Sequence, residues 1–432
     1  MFIYRGIDKN EKGHLTLNGY DLTELAKKYG TPLIVYDRDK IVENINKYKK
    51  SIDDYYDSHG KVLYAGKAFS CLEMCRICKS LGCGLDVVSE GEIFTALKAD
   101  FPPEDMFFHG NNKTEHEINY AISNKIGYFI VDNISELEKL NKVAKENNCV
   151  QKILLRIKPG VEAHTHSYIQ TGQIDSKFGF ALETGEAEKA VCEALEFENL
   201  DLKGFHCHIG SQIFNTEPFV KAAEKLCEFI AEIKENENYE IDMLDLGGGF
   251  GIKYTDEDKS PDFDEYMEKV SEKIKEVCKK HSLKLPYVLL EPGRSIVGEA
   301  GITLYTAGAI KVIPNIRTYV SVDGGMTDNP RYILYESEYQ FCVANKIGEK
   351  RDNKYTVAGK CCESGDLLGK DIYCEKVEPG DIIAVLSTGA YNYSMASHYN
   401  KICKPAVVMV GKDGEKLIIK RETPKNLLIN EI

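Results

Sequence analysis

Residues Tyr287-Val-Leu-Leu-Glu291-Pro292-Gly293-Arg294-Ser295-Ile-Val297 form an apolar run that ends abruptly in a carboxylate, a chain-stiffening proline, a glycine and an arginine. A short apolar run bounded in this way reads as a buried strand. Its ending sets charged groups at the strand's C-terminal tip. Gly293 leaves its backbone N–H open to an anion, Arg294 offers a fork of donors, and Glu291 can face a protonated ring nitrogen. Taken alone, these residues also fit a tight strand-to-loop turn with a solvated arginine.

The same unit recurs upstream. Short apolar strands are expected at Lys61 to Ala65, Gly84 to Val87, Met106 to Phe108, Tyr128 to Val131, Lys152 to Ile157, Leu202 to His206, Met243 to Leu246 and Tyr287 to Leu290. Amphipathic stretches such as Glu115 to Ser123, Ile134 to Glu146 and Pro218 to Lys234 separate them. Eight β/α repeats predict an α/β fold, a closed (β/α)8 TIM-like barrel. Polar or glycine-rich groups recur at or just past the strand ends: Lys67, Asp86, His109-Gly110-Asn111, Asp132, Arg156, His208, Gly247-Gly248-Gly249 and Glu291. In such a barrel these positions converge on the active-site face. A doubly wound open sheet, the competing architecture, would not gather all eight strand ends around one cavity.

Past about residue 300 the texture changes to short β-rich runs, at Thr318 to Val322, Tyr355 to Ala358, Ile382 to Val385 and Ala406 to Val410. Asp-Gly turn signals follow at Asp323-Gly324 and Asp413-Gly414. The expected organisation is a barrel over residues 45–305 and an all-β domain built from residues 1–44 and 306–432. The strand-like Pro32 to Tyr36 would pair into that second domain.

With 432 residues, 43% of them hydrophobic, the chain can bury two or three sizeable cores. A net charge of −13 argues against nucleic acid or an anionic membrane as partner. No basic leader precedes an apolar run, and no stretch approaches bilayer-spanning length, so a cytoplasmic protein is expected. Fourteen scattered cysteines read as reduced thiols. Cys71, Cys75 and Cys78 share the spacing of a three-cysteine iron–sulfur motif, but they fall on one face of a predicted helix and read as core packing.

Lys67, in Tyr64-Ala-Gly-Lys67-Ala68, sits past the first strand among small residues. Desolvated there, its amine would be a nucleophile toward an aldehyde; a lysine snorkelling at a strand end is the plainer alternative. His206 and His208 alternate at the end of the sixth strand, which also fits the paired histidines of a barrel metallohydrolase. The glycine and serine that follow, Gly210 and Ser211, favour a ring-stacking histidine beside a phosphate contact. Glycines 247 to 249 add backbone N–H groups for an anion. Cys361-Cys362-Glu363-Ser-Gly-Asp366 concentrates reactive groups in one loop of the second domain, and a thiol with a pKa of about 8.5 can serve as a proton donor at neutral pH. An aldehyde-binding lysine, a phosphate cradle and a carboxylate for a ring nitrogen are together the needs of pyridoxal phosphate; no metal is expected.

Together these segments resemble the alanine-racemase-like, fold type III family of pyridoxal-phosphate-dependent decarboxylases over nearly the whole chain. The resemblance is carried by Tyr64-Ala-Gly-Lys67-Ala, Gly84-Leu-Asp86-Val-Val-Ser, His109-Gly-Asn-Asn-Lys113, Thr171-Gly-Gln-Ile-Asp-Ser-Lys177-Phe-Gly179, His206-Cys-His-Ile-Gly-Ser211, Glu291-Pro-Gly-Arg294, Asp323-Gly-Gly-Met326, Cys362-Glu-Ser-Gly-Asp366 and Gly389-Ala-Tyr391. It implies that Lys67 holds the cofactor covalently, that His208 stacks on the ring and that Glu291 keeps the ring nitrogen protonated. Asp86, Ser211, Gly247, Gly248, Gly249, Pro292, Gly293, Arg294 and Tyr391 would complete the cofactor site. It also implies a homodimer in which the Cys362 loop enters the partner's barrel, with Cys362 as the acid that reprotonates the α-carbon. Phe69 stands where asparagine is common after the lysine-alanine pair, a departure the covalent attachment does not depend on.

Substrate choice follows from charge at the far end of the pocket. A simple diamine precursor such as lysine or ornithine presents only a distal ammonium, whereas meso-diaminopimelate presents a second carboxylate that needs a cation. The resemblance places Arg294, Arg331, Tyr335, Glu363 and Tyr391 around the substrate, and so implies decarboxylation of meso-2,6-diaminopimelate to L-lysine and carbon dioxide, the last step of lysine biosynthesis. Sister decarboxylases of lysine, ornithine, arginine or a carboxylated polyamine, a catalytically silent regulator on the same fold, and a metallohydrolase built on His206 and His208 are the alternatives.

Overall fold

The computed structural model describes residues 6–161, 176–258 and 262–432. The chain divides into two compact units, one of Ile45–Gly251 and Ser260–Gly293, the other of Met1–Asn44, Ile252–Lys259 and Arg294–Ile432.

In the first unit eight parallel strands close on themselves in chain order: Gly60–Ala65, Gly84–Val87, Met106–Phe108, Tyr128–Val131, Gln151–Lys158, Leu200–His206, Met243–Asp245 and Tyr287–Leu290. Closure comes from Tyr287–Leu290 pairing back onto Gly60–Ala65, with Val288 opposite Gly60 and Leu290 opposite Val62. The predicted strands lie within one or two residues of the observed ones. They are buried on both faces, as continuous apolar runs require in a helix-covered parallel sheet. Leu63, Phe107, Ile130, Leu154, Met243 and Leu289 fill part of the barrel interior.

Helix starts follow local capping chemistry. Thr114 and Glu117 close a capping box on Glu115–Ser123, and Asn133 accepts from the Glu136 N–H at the start of Ile134–Glu146. Cys71 caps Leu72–Ser80, its sulfur accepting from the Met74 N–H at 3.4 Å, while Cys75 and Cys78 are buried in that helix, the packing role expected of them.

The second unit is a sheet ordered Leu367–Cys374, Asn353–Ala358, Arg317–Val322, Gly301–Ile313, Leu33–Asp37, Ala406–Gly411 and Gly414–Ile419. Leu33–Asp37 lies between Gly301–Ile313 and Ala406–Gly411, so the N-terminal strand is central to this sheet. Of the two Asp-Gly signals, Asp413-Gly414 joins an antiparallel hairpin. Asp323-Gly324 does not: its strand pairs in parallel with Asn353–Ala358, which demands a long crossover, and Asp323 instead accepts from the Thr306 N–H at 2.9 Å.

Candidate active site

At the C-terminal end of the barrel strands the side chains are charged, close together and shut away from water. Glu291, just past the eighth strand, is 7% exposed. Its Oε1 lies 3.1 Å from His109 Nε2 and 3.3 Å from His206 Nε2. His109 Nε2 also lies 3.7 Å from Asp86 Oδ1, and the two imidazoles meet edge-on at 5.1 Å. Around the rim, Arg156 reaches Asp132 at 3.9 Å.

Burial and neighbouring charge drive these groups apart in acidity. Burial alone would raise the Glu291 carboxyl, but His206 and His109 hold it well below the usual carboxylate range. Burial also opposes a charge on His109, yet Glu291 and Asp86 outweigh it and raise the imidazole to about 9. His206 is lowered to about 4 by burial despite the same carboxylate, and so stays neutral. Burial, then Glu291, raises Asp86 to about 7. Asp245, fully buried in the seventh strand, is driven well above the carboxylate range by burial and by the charges of Glu291 and Asp86, which leaves it a neutral acid. Glu291 thus stays ionised at the centre beside a charged His109, while Asp86 titrates near neutrality and Asp245 keeps its proton.

Lys67 follows the first strand in a single helical turn, Gly66–Ala68. Its side chain is exposed, so the desolvation expected of it is not found in the single chain. The neighbouring Ala65 N–H donates to the Pro292 carbonyl at 3.3 Å, which ties the lysine strand to the Glu291-Pro292 turn. A Cβ on Gly293 would sit 3.0 Å from the Ala65 methyl and 3.1 Å from that of Ala68. His208 follows the end of the sixth strand at His206; burial, the Lys67 ammonium and Arg156 hold its imidazole neutral, and its Nδ1 accepts from the Gly248 N–H at 3.3 Å.

The glycine triplet is required by close backbone packing. Gly247 and Gly249 have φ of 66° and 113°, and side chains there would meet the Cys207 and Gly210 carbonyls at 2.3 Å. The expectation that all three N–H groups face an anion needs correction. Gly247 donates to Asp245 at 2.8 Å and Gly248 to His208, and among the described residues only the Gly249 N–H has no internal partner. Ser211 lies half-buried in the loop after the sixth strand.

In the other unit, Arg294 opens the short helix Arg294–Val297 and donates to the Tyr254 hydroxyl at 2.5 Å. Its guanidinium lies 4.9 Å from the centre of the Tyr391 ring, and Tyr391 holds a φ of 72°. Arg331 is 6% exposed and ringed by Tyr254, Tyr335 and Tyr391 at 5.8, 5.4 and 5.2 Å. One of its nitrogens donates to Ser337 at 3.2 Å; Nε and Nη1 are buried with no partner among the described residues. Cys362 and Glu363 are exposed, with the Cys362 N–H donating to Asn400 Oδ1 at 2.8 Å. In the segment Thr171 to Gly179, residues 171–175 lie outside the described residues.

These groups fit pyridoxal phosphate. Although His109 and His206 lie 3.1 and 3.3 Å away, their ring nitrogens are not aligned on Glu291 Oε1 for a hydrogen bond, so this buried oxygen stands ready to accept from a ring N–H. His109, His206 and Glu291 also bring ligand atoms within 4.8 Å of one another, a spacing that suits a divalent metal. The sequence pairs His206 with His208 for that role, and His208 is not in this group. A metal there would have to displace the proton that Glu291 and Asp86 hold on His109.

A closed barrel with an exposed lysine, a neutral histidine and a buried ionised carboxylate on its C-terminal face belongs to the class of barrel enzymes that work through pyridoxal phosphate. The family model for the pyridoxal-dependent decarboxylase pyridoxal-binding domain matches residues 38–298. Diaminopimelate decarboxylase of Bacillus subtilis is 48% identical over 99% of this chain and 97% of its own, and that of Staphylococcus aureus 46% over 98% of each. A crystal structure of the M. jannaschii diaminopimelate decarboxylase with L-lysine superposes with a TM-score of 0.92, at 37% identity over 100% of this chain and 99% of its own. The chain belongs to the diaminopimelate decarboxylase family.

His109, Asp245 and Arg156 are the site groups least visible beforehand. His109 and Arg156 stand out as polar groups at strand ends, without a role. Asp245 hides within the apolar run Met243 to Leu246, where a single carboxylate among hydrophobic residues was the available signal.

Proposed function

We propose that this enzyme decarboxylates meso-2,6-diaminopimelate to L-lysine and carbon dioxide, using pyridoxal phosphate, in the last step of lysine biosynthesis. The observation that carries the choice of substrate is Arg331. A buried guanidinium with two unpartnered nitrogens and a tyrosine surround is costly unless an anion completes it. A second carboxylate is what diaminopimelate has and lysine and ornithine lack.

Within the barrel, Lys67 would hold the cofactor covalently, His208 would contact its ring and Glu291, backed by His109, would keep the ring nitrogen protonated. Asp86 supports that charge arrangement. Ser211, the Gly249 N–H and the Pro292-Gly293 turn hold the phosphate, and the family resemblance adds Arg294 and Tyr391. When bound, pyridoxal phosphate supplies an electron sink for the pair left on the α-carbon as carbon dioxide departs. Arg331, Tyr335 and Glu363, with Arg294 and Tyr391, orient the substrate. Cys362 returns the proton to the α-carbon. Its exposure in the single chain supports a homodimer in which this loop serves the partner's site. No helix among the described residues is long and apolar enough to cross a membrane, which accords with a cytoplasmic location.

Carbon dioxide release from meso-diaminopimelate, lysine, ornithine and arginine tests the reading directly. Release from diaminopimelate alone is expected. Arg331→Ala should raise KM about tenfold or more, the loss of a charged hydrogen bond of about 1.5–3 kcal/mol, while cofactor loading persists. Unchanged KM in that variant would remove Arg331 from the substrate site.

A further inference from the structure

The loop carrying His109 runs from the third barrel strand to the helix Glu115–Ser123, and a set of buried groups remote from the reacting atoms ties it down. Lys113 Nζ, its side chain 1% exposed, donates to the Gly110 carbonyl at 2.9 Å, the Ile130 carbonyl at 2.7 Å and Glu136 Oε1 at 2.6 Å. All three of its N–H groups are therefore used. The other Glu136 oxygen accepts from the Asp132 N–H at 3.2 Å. Asn133 caps the helix Ile134–Glu146 and also donates to the Asn111 carbonyl at 3.1 Å. One buried pair thus spans two strand ends: that of His109 and Gly110, and that of Ile130 and Asp132.

We propose that Lys113 and Glu136 are positioning residues for the cofactor site, a buried ion pair that fixes the His109 loop so that its imidazole meets Glu291. The inference rests on the cofactor assignment above. A purely structural role accounts for the pair poorly. Two charges taken out of water are generally no more stabilising than well-packed apolar residues of the same size, so stability alone does not account for this pair, whose three hydrogen bonds join two strand ends. That geometry acts on a single imidazole with three titratable neighbours: Glu291, Asp86 and His206.

Stability and positioning separate in a set of variants. Lys113→Met leaves the Glu136 carboxylate buried without a cation, and the apoprotein should melt several degrees lower. Lys113→Met combined with Glu136→Leu removes both charges and should recover most of that loss. Cofactor affinity should not recover. Titration of pyridoxal phosphate into the apoprotein should show binding about 10- to 100-fold weaker than wild type, the usual consequence of losing a partner that orients a functional imidazole. The His109 ring, followed by NMR, should titrate closer to the ordinary histidine range. Asn133→Ser keeps a helix cap, removes the donor to Asn111 without adding a charge, and should weaken cofactor binding by a smaller factor without unfolding the protein. Wild-type cofactor affinity and a wild-type His109 titration in a folded double variant would overturn the proposal. Failure of the wild-type apoprotein to bind pyridoxal phosphate would instead overturn the cofactor assignment on which it rests.

Discussion

The two ends of the same eight strands handle charge in opposite ways. At the N-terminal mouth lies a cavity of about 580 Å³ with an aromatic floor, where Phe107 stacks on Tyr128 at 4.4 Å and His59 meets Tyr287 edge-on at 5.1 Å. Its rim is crowded with charge, yet the cations have partners in reach of solvent: Lys61 with Asp105, Lys203 with Asp201, Lys234 and Lys284 with Glu240. Hydrogen bonding to Asp201 and Glu240 raises the Lys203 and Lys284 ammonium groups and so keeps them charged. At the C-terminal face, carboxylates and imidazoles are buried together and compete for too few protons. The first arrangement is complete as it stands, whereas the second becomes complete when a cationic ring and an anionic phosphate enter it. Strand direction alone decides which end receives which, because loops that leave a parallel barrel's C-terminal edge converge on one point.

The largest effect should come from Lys67→Ala. Without the amine the cofactor has no covalent anchor, and turnover should fall by about a thousandfold or more. Borohydride trapping followed by peptide mapping should label Lys67 in the wild type and nothing in the variant. A label elsewhere in the wild type would move the catalytic end of the comparison.

Glu291→Gln should rank next, lowering kcat by about 10²- to 10³-fold through loss of a preorganised charge. It also tests the proton competition. His109 is raised to about 9 by Glu291 and Asp86, above the ordinary histidine value of about 6.5. A raised histidine contributes stability that is fully present below its unfolded value and is lost as pH rises through the folded one. Asp86, raised to about 7, is still losing its proton at the lower end of that range and adds to the loss there. The apoprotein's Tm should therefore decline between about pH 7 and 9, and decline less in Glu291→Gln. Equal slopes in the two proteins would mean that Glu291 does not hold the proton on His109.

How much of this was legible beforehand differs between the two ends for a physical reason. Strand boundaries were readable because a barrel strand is a continuous apolar run, and the run Tyr287 to Leu290 stops where Glu291 begins. The strand-end positions of Lys67, His208 and Glu291 were readable because each stands at or just past such a stop. Asp245 was not, since an acid kept neutral by its neighbours looks in sequence like an error in a hydrophobic strand. Nor was the fate of the glycine amides: Gly247 turns back two residues to Asp245, and Gly248 serves His208 only because loops forty residues apart meet in space. Asp323-Gly324 misled for a related reason: a turn dipeptide states a local preference, and the parallel pairing of Arg317–Val322 with Asn353–Ala358 overrode it. The N-terminal cavity left no trace in the sequence, since its aromatic residues read as ordinary strand starts.

The smallest effect should come from the rim of that cavity, and it tests whether the two ends are energetically separate. Lys61 and Asp105 form a half-exposed pair, with side-chain exposures of 24% and 34%. Pairs of this kind contribute about 0–1 kcal/mol, since water screens the attraction and two flexible side chains must be ordered to form it. Lys61→Met and Asp105→Asn should therefore each shift Tm by no more than a few degrees, and the double variant by less than the sum of the two, since either change alone already breaks the pair. Neither should alter kcat or KM for diaminopimelate, because the strand Gly60–Ala65 separates Lys61 from Lys67 by the thickness of a packed core. A fall in kcat with unchanged Tm would show that the first strand transmits its N-terminal anchoring to the lysine at its other end, and that the two faces of the barrel are coupled.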